Sequence, residues 1–243
     1  MAGLTLALVA GCGSGDEAGT AESPELTKAN FTSKVLAAQR QAETAHLEAK
    51  IGAQGQEMSM VGDMDLSNDD VAFDLSLSGG AVGGEARFIL VDKIIYLKVP
   101  GLSQGGKFIK IDPADGSNPA AEMFSQMLSR LDPSKTFKAF DSIAQLKQAG
   151  TEEVDGVETT RYKVSVDTEK ALKAQGLGGQ VPPGQLPKTL EYDVWVDSDN
   201  LVRKLSTDVQ GSSIDMTISE WGEPVDVAAP PSDQITEMPQ MTG

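Results

Sequence analysis

The chain has 243 residues, of which 40% are hydrophobic but only 5% aromatic, and its 36 acidic and 20 basic side chains give a formal charge of −16. That charge repels phosphate backbones and leaves none of the basic surface that nucleic acids require, so nucleic acid is excluded as a partner, and attachment to an anionic membrane has to come from an anchor. One cysteine and one histidine exclude an intrachain disulfide and a zinc site built from several His or Cys ligands.

Leu4 to Ala10 form an apolar run. It is far short of the roughly 20 residues that span a bilayer but suits the core of a signal peptide. The run ends Val9-Ala10-Gly11-Cys12, small residues before a cysteine, which resembles the bacterial lipobox. Residues 1–11 are therefore expected to be a lipoprotein signal peptide, with Cys12 as the lipidation site carrying a covalent diacylglycerol. No Lys or Arg precedes the run, where an export signal normally opens with positive charge, so a start upstream of Met1 is expected. Residues 12–26, rich in Gly, Ala, Ser, Thr and acid, read as a flexible tether, and residues 27–243 as a single domain.

Phe31, Val35, Ala38, Ala42 and Ala45 recur at helical spacing and predict an amphipathic helix over residues 31–47, with His46 at its exposed end. Met58, Met60, Met64 and Leu66 then alternate with polar residues, as do Val71, Phe73, Leu75 and Leu77, which predicts two antiparallel strands. The glycine-rich stretch 79–84 supplies a turn before strands over Arg87 to Val91 and Ile94 to Val99, joined through Asp92-Lys93, and a short strand follows at Phe108 to Ile111. Met123, Phe124, Met127, Leu128 and Leu131 fall on one helical face, and a further helix is predicted from about Phe137 to Ala149, closing at Gly150.

Asp155-Gly156 reads as the turn of a tight hairpin, and Thr168 to Gln175 as a brief helix capped by Asp167 or Thr168. The Gly/Pro-rich segment Gly176 to Pro187 can continue neither helix nor strand and reads as a flap. Leu190 to Val196, Leu201 to Val209 and Ile214 to Ile218 predict three closing strands, the first two joined by Asp197-Ser198-Asp199-Asn200, with a surface strap from Glu223 onward. Nine or ten strands at hairpin spacing make the class α+β with a large antiparallel sheet, one face of which the helices at 31–47 and 119–149 must cover.

The block from Glu191 to Leu205, followed by Trp221-Gly-Glu-Pro-Val-Asp-Val-Ala-Ala-Pro-Pro, resembles the actinobacterial LppX and LprG type lipoproteins, and the element order from Phe31 onward is similar to theirs. The missing positive charge before the apolar run is the one departure. The resemblance implies a half-barrel like that of the LolA carriers, a curved antiparallel sheet wrapped around helices that leaves an apolar cavity for acyl chains. It also implies a non-enzymatic, lipid-anchored protein on the extracytoplasmic face of the cell membrane that binds and carries a lipid or glycolipid, with a membrane transporter as a further partner. It supplies no ligand-contact motif.

From the residues themselves, Met58, Met60, Met64, Met123, Met127 and Met216 are the candidates to line such a cavity, because unbranched thioethers adapt to chains of varied shape. Packing of the same methionines into a filled core is the competing reading, and with it a surface-anchored scaffold or sensor that acts through protein partners. The acidic run from Asp63 to Asp70 lacks the glycine and the closing glutamate of a calcium loop, and neither it nor the Asp197 turn is read as a metal site. No nucleophile motif such as G-x-S-x-G accompanies His46, so no catalytic residue is assigned.

Overall fold

A computed structural model of the chain describes residues 25–53, 55–68, 70–114, 142–174 and 186–237. Its twelve strands are β1 (Thr44–Ala53), β2 (Gln56–Asp65), β3 (Ala72–Gly79), β4 (Glu85–Val91), β5 (Ile94–Lys98), β6 (Phe108–Ile111), β7 (Ile143–Val154), β8 (Val157–Asp167), β9 (Thr189–Val196), β10 (Val202–Val209), β11 (Ser212–Ser219) and β12 (Ile235–Glu237). Two α-helices accompany them among the described residues, α1 (Phe31–Ala42) and α2 (Thr168–Ala174).

All twelve strands belong to one open sheet in the order β12-β6-β5-β4-β3-β2-β1-β11-β10-β9-β8-β7. Two meanders build it: β1 to β6 step outward in one direction, β7 to β11 step back from the other edge, and β11 closes against β1 in the middle. Every pairing is antiparallel except that of β12 with β6, where the strap from Glu223 adds a short parallel strand, so the sheet is mostly antiparallel rather than wholly so. The class is α+β, and the sheet forms a curved half-barrel with α1 packed on its concave face.

The predicted hairpins are set by their turn residues. Asp155 and Gly156 have φ of 49° and 80°, and Asp92 and Lys93 φ of 52° and 64°. Both are two-residue turns with positive φ at each central residue, the geometry whose twist matches that of the flanking strands. Asp167 caps α2 by accepting the Lys170 backbone N–H at 3.0 Å. That bond holds its carboxyl below the ordinary aspartate range.

Two predicted helices end or begin elsewhere. α1 stops at Ala42, where Glu43 takes a φ of 67° and donates its N–H to Gln39 O, so Ala45 and His46 lie on β1 instead of the helix. Residues 143–149, expected as the end of a helix, are the first part of the edge strand β7. The remainder of that helix, the amphipathic face with Met123 and Met127, most of the Gly176 to Pro187 flap, the signal peptide and Cys12 lie outside the described residues.

Candidate functional site

Alternation along each strand sends one set of side chains to the concave face. Register then aligns these sets into rows that cross the sheet. Ile51 of β1 lies between Met58 of β2 and Ile214 of β11; one row further, Ala49 lies between Met60 and Met216, and Leu47 between Gly62 and Ile218. On one side the rows continue through Leu77, Leu75 and Phe73 of β3, opposite Met60, Gly62 and Met64. On the other they continue through Leu205 of β10 to Val194 and on to Tyr162 of β8, with Tyr192 opposite Val164 one row away. None of these residues is charged, whereas the convex positions of the same strands carry His46, Glu48, Lys50, Asp63 and Asp74.

α1 covers part of this surface. Phe31 meets Tyr162 edge-on with ring centroids 5.7 Å apart, and Phe31 and Val35 join Ala45, Val164, Val194, Val202 and Ile218 in one buried cluster. Ile51, Met58, Met60, Leu75, Leu77, Leu205, Ile214 and Met216, in contrast, are only half-buried. An apolar face that stays partly open costs free energy in water, at about 25 cal/mol per Å² left uncovered. It gains whatever an apolar occupant would bury there.

Of the six methionines singled out from the sequence, Met58, Met60, Met64 and Met216 are thus brought to one face, three on β2 and one on β11, while Met123 and Met127 lie outside the described residues. Their aliphatic companions Ile51, Leu75, Leu77, Leu205 and Ile214, and Tyr192, were not among the candidates, although strand alternation places them on the same face.

A second concavity, of about 630 Å³, opens beside the apolar face where β7, β8 and β9 end. Glu25, Gln148, Glu158, Thr160 and Asn200 line its sides, and Leu26, Tyr162 and Val196 contribute apolar surface. Burial pushes the Tyr162 hydroxyl up in pKa, with the Glu25 charge adding to the effect and a hydrogen bond with Thr160 opposing it.

On the convex face His46 Nδ1 lies 2.7 Å from Asp63 Oδ1, and Ser219 is the cross-strand neighbour of His46. Among the described residues no hydroxyl bonds to Nε2, which faces Glu48 at 3.9 Å, so the row lacks the nucleophile contact that base chemistry needs. In the Asp197 turn Ser198 and Asp199 are exposed while Asp197 itself is buried: its carboxylate accepts the N–H groups of Asp199 and Leu201 and pairs with Arg203 at 2.7 Å. The described residues contain no group of three or more His, Cys, Asp or Glu able to hold a metal ion.

Residues 29–227 match the LppX_LprAFG lipoprotein family. The chain is 24% identical over 237 residues to the lipoarabinomannan carrier protein LprG of Mycobacterium tuberculosis, covering 94% of this chain and 92% of that protein. It is 26% identical over 241 residues to the M. tuberculosis lipoprotein LprA, covering 91% of each. Among solved structures, LprF of Mycobacterium bovis superposes with a TM-score of 0.58 at 15% identity, covering 84% of this chain and 96% of that one. LppX of M. tuberculosis does so with a TM-score of 0.58 at 18% identity, covering 83% and 98%.

Proposed function

The chain belongs to the LppX_LprAFG lipoprotein family, and from that premise we propose that it binds the acyl chains of a lipid or glycolipid on the concave face of its sheet and carries them outside the cytoplasmic membrane. The observation that carries this reading is the uncharged, half-buried surface formed by Ile51, Met58, Met60, Leu77, Ile214 and Met216 across four adjacent strands. Such a surface binds hydrocarbon through burial alone, at about 0.8 kcal/mol per CH₂ removed from water. Two acyl chains laid along it gain enough to be held without any charged contact. No bond is made or broken in this role, so it calls on no catalytic group.

The likeness to a protein named as a lipoarabinomannan carrier supports a glycolipid among the cargoes. In the same proposal a diacylglyceryl thioether on Cys12 fixes the protein at the extracytoplasmic face, and residues 12–26 act as its tether. A membrane transporter is the partner that would load or unload it.

Native mass spectrometry of the protein extracted gently from its own membranes tests the reading. Bound masses matching lipids are the expected result. A lipid-free protein that co-purifies with a fixed protein partner would replace the carrier with a scaffold.

A further inference from the structure

The apolar face of β8 to β11 holds few hydrogen-bonding groups, and most of them are satisfied within the chain. Thr207 donates its hydroxyl to Glu191 O at 2.8 Å and Trp221 donates its indole N–H to Val202 O at 3.1 Å. Tyr192 differs. Its position opposite Val164 puts the ring on the concave face, where it is half-buried and packs with Leu205 and Met216 against the main core. The described residues give its hydroxyl no partner, and no buried side-chain oxygen or nitrogen among them is left unsatisfied, so this hydroxyl reaches space that is still accessible. Water supplies its acceptor while the face is open, but an apolar occupant that covers the ring displaces that water and must bring an acceptor of its own or leave the donor unpaired.

We propose that Tyr192 donates a hydrogen bond to an ester carbonyl of the bound lipid and so makes the concave face selective for acyl esters over alkyl ethers. The proposal rests on the lipid-binding reading given above. Three features single out that acceptor. The donor is a phenol, neutral at its ordinary pKa and pushed further up by burial, so it offers no charge to a phosphate. Its cross-strand partner Val164 and the core cluster it packs against are apolar, so the acceptor has to be flanked by hydrocarbon. An ester carbonyl fits between a glycerol carbon and an acyl chain in that way, and it is a much stronger acceptor than an ether oxygen of the same size.

The test is displacement of a fluorescent fatty-acid probe from the purified full chain by 1,2-dioctanoylglycerol and by its dioctyl ether analogue. One neutral hydrogen bond predicts that the diester competes roughly threefold to tenfold better than the diether. Tyr192→Phe keeps the ring and removes only the donor, and it should bind the diester as weakly as the wild type binds the diether, with diether binding unchanged. Equal competition by the two lipids in the wild type, or a preference that survives Tyr192→Phe, overturns the assignment while leaving the lipid-binding reading in place. Displacement by neither lipid overturns both.

Discussion

The Asp197 carboxylate is 3% exposed, yet it closes the β9–β10 hairpin through the Asp199 and Leu201 N–H groups and holds Arg203, itself 19% exposed, at 2.7 Å. Arg203 reaches it because the β9–β10 register slips between Val202 and Lys204, so that the extra residue of a β-bulge is re-aimed toward the turn. Removing one partner of a buried pair leaves the other charge uncompensated, which usually costs more than the pair contributes. Arg203→Met is therefore expected to lower unfolding stability by about 3 kcal/mol, read by chemical denaturation, and adding Asp197→Asn to recover much of the loss, because the amide oxygen can still accept the turn N–H groups. A loss below about 0.5 kcal/mol would show that solvent reaches the carboxylate after all. Sequence made the turn legible, since Asp-Ser-Asp-Asn is turn chemistry, but a bulge leaves no mark in residue order. The burial of Asp197 was hidden for that reason.

At the scale of elements, β1 and β7 were the strands whose sequences spoke for helix, and each had a different reason. In β1, Ala45, Leu47, Ala49 and Ile51 alternate strictly with Thr44, His46, Glu48 and Lys50, a period-two signal masked by the alanines that continue the helical spacing of α1. In β7 the run Ile-Ala-Gln-Leu-Lys-Gln-Ala has real helical propensity and becomes strand because β8 offers it a partner along its length. The strands that were legible alternate without such competition, and their hairpin turns require positive φ. Within β2, Gly62 has no room for a side chain: a Cβ there would collide with the Asp74 carbonyl and lie 2.9 Å from Leu75 Cα. Gly62→Ala should push β3 away from β2, destabilise the protein by about 3 kcal/mol, and reduce lipid capture on the Met58–Met64 face. Thermal unfolding and probe displacement measure the two effects, and a variant with unchanged melting would mean that the two strands separate freely.

For the whole molecule, the decisive relation is that a single sheet places the four described methionines of the candidate set on one face while its two meanders meet only at β1 and β11. Alternation could assign a side chain to a face, but only this closure puts Met216 beside Ala49 and Met60. The same topology leaves β6 near an edge, and the chain answers with its own tail. Gly222 donates to Thr44 O at 3.0 Å and the Thr44 hydroxyl to Glu223 O at 2.7 Å, which pins the strap beside β1. Ile235 to Glu237 then pair with β6, which puts β12 six strand positions from β1, roughly 29 Å along the sheet. The strap thus ties the middle of the half-barrel to its far rim, and Ile235 packs against the small convex cluster of Ile89, Tyr96 and Phe108. Removing residues 232–243 should expose the β6 edge, cost about 1–2 kcal/mol, and speed hydrogen exchange at Ile109 and Lys110 while leaving the β8 to β10 amides protected. Exchange that rises equally across all strands would mean that the two meanders unfold as one unit, and the strap would then stabilise the whole sheet instead of one rim.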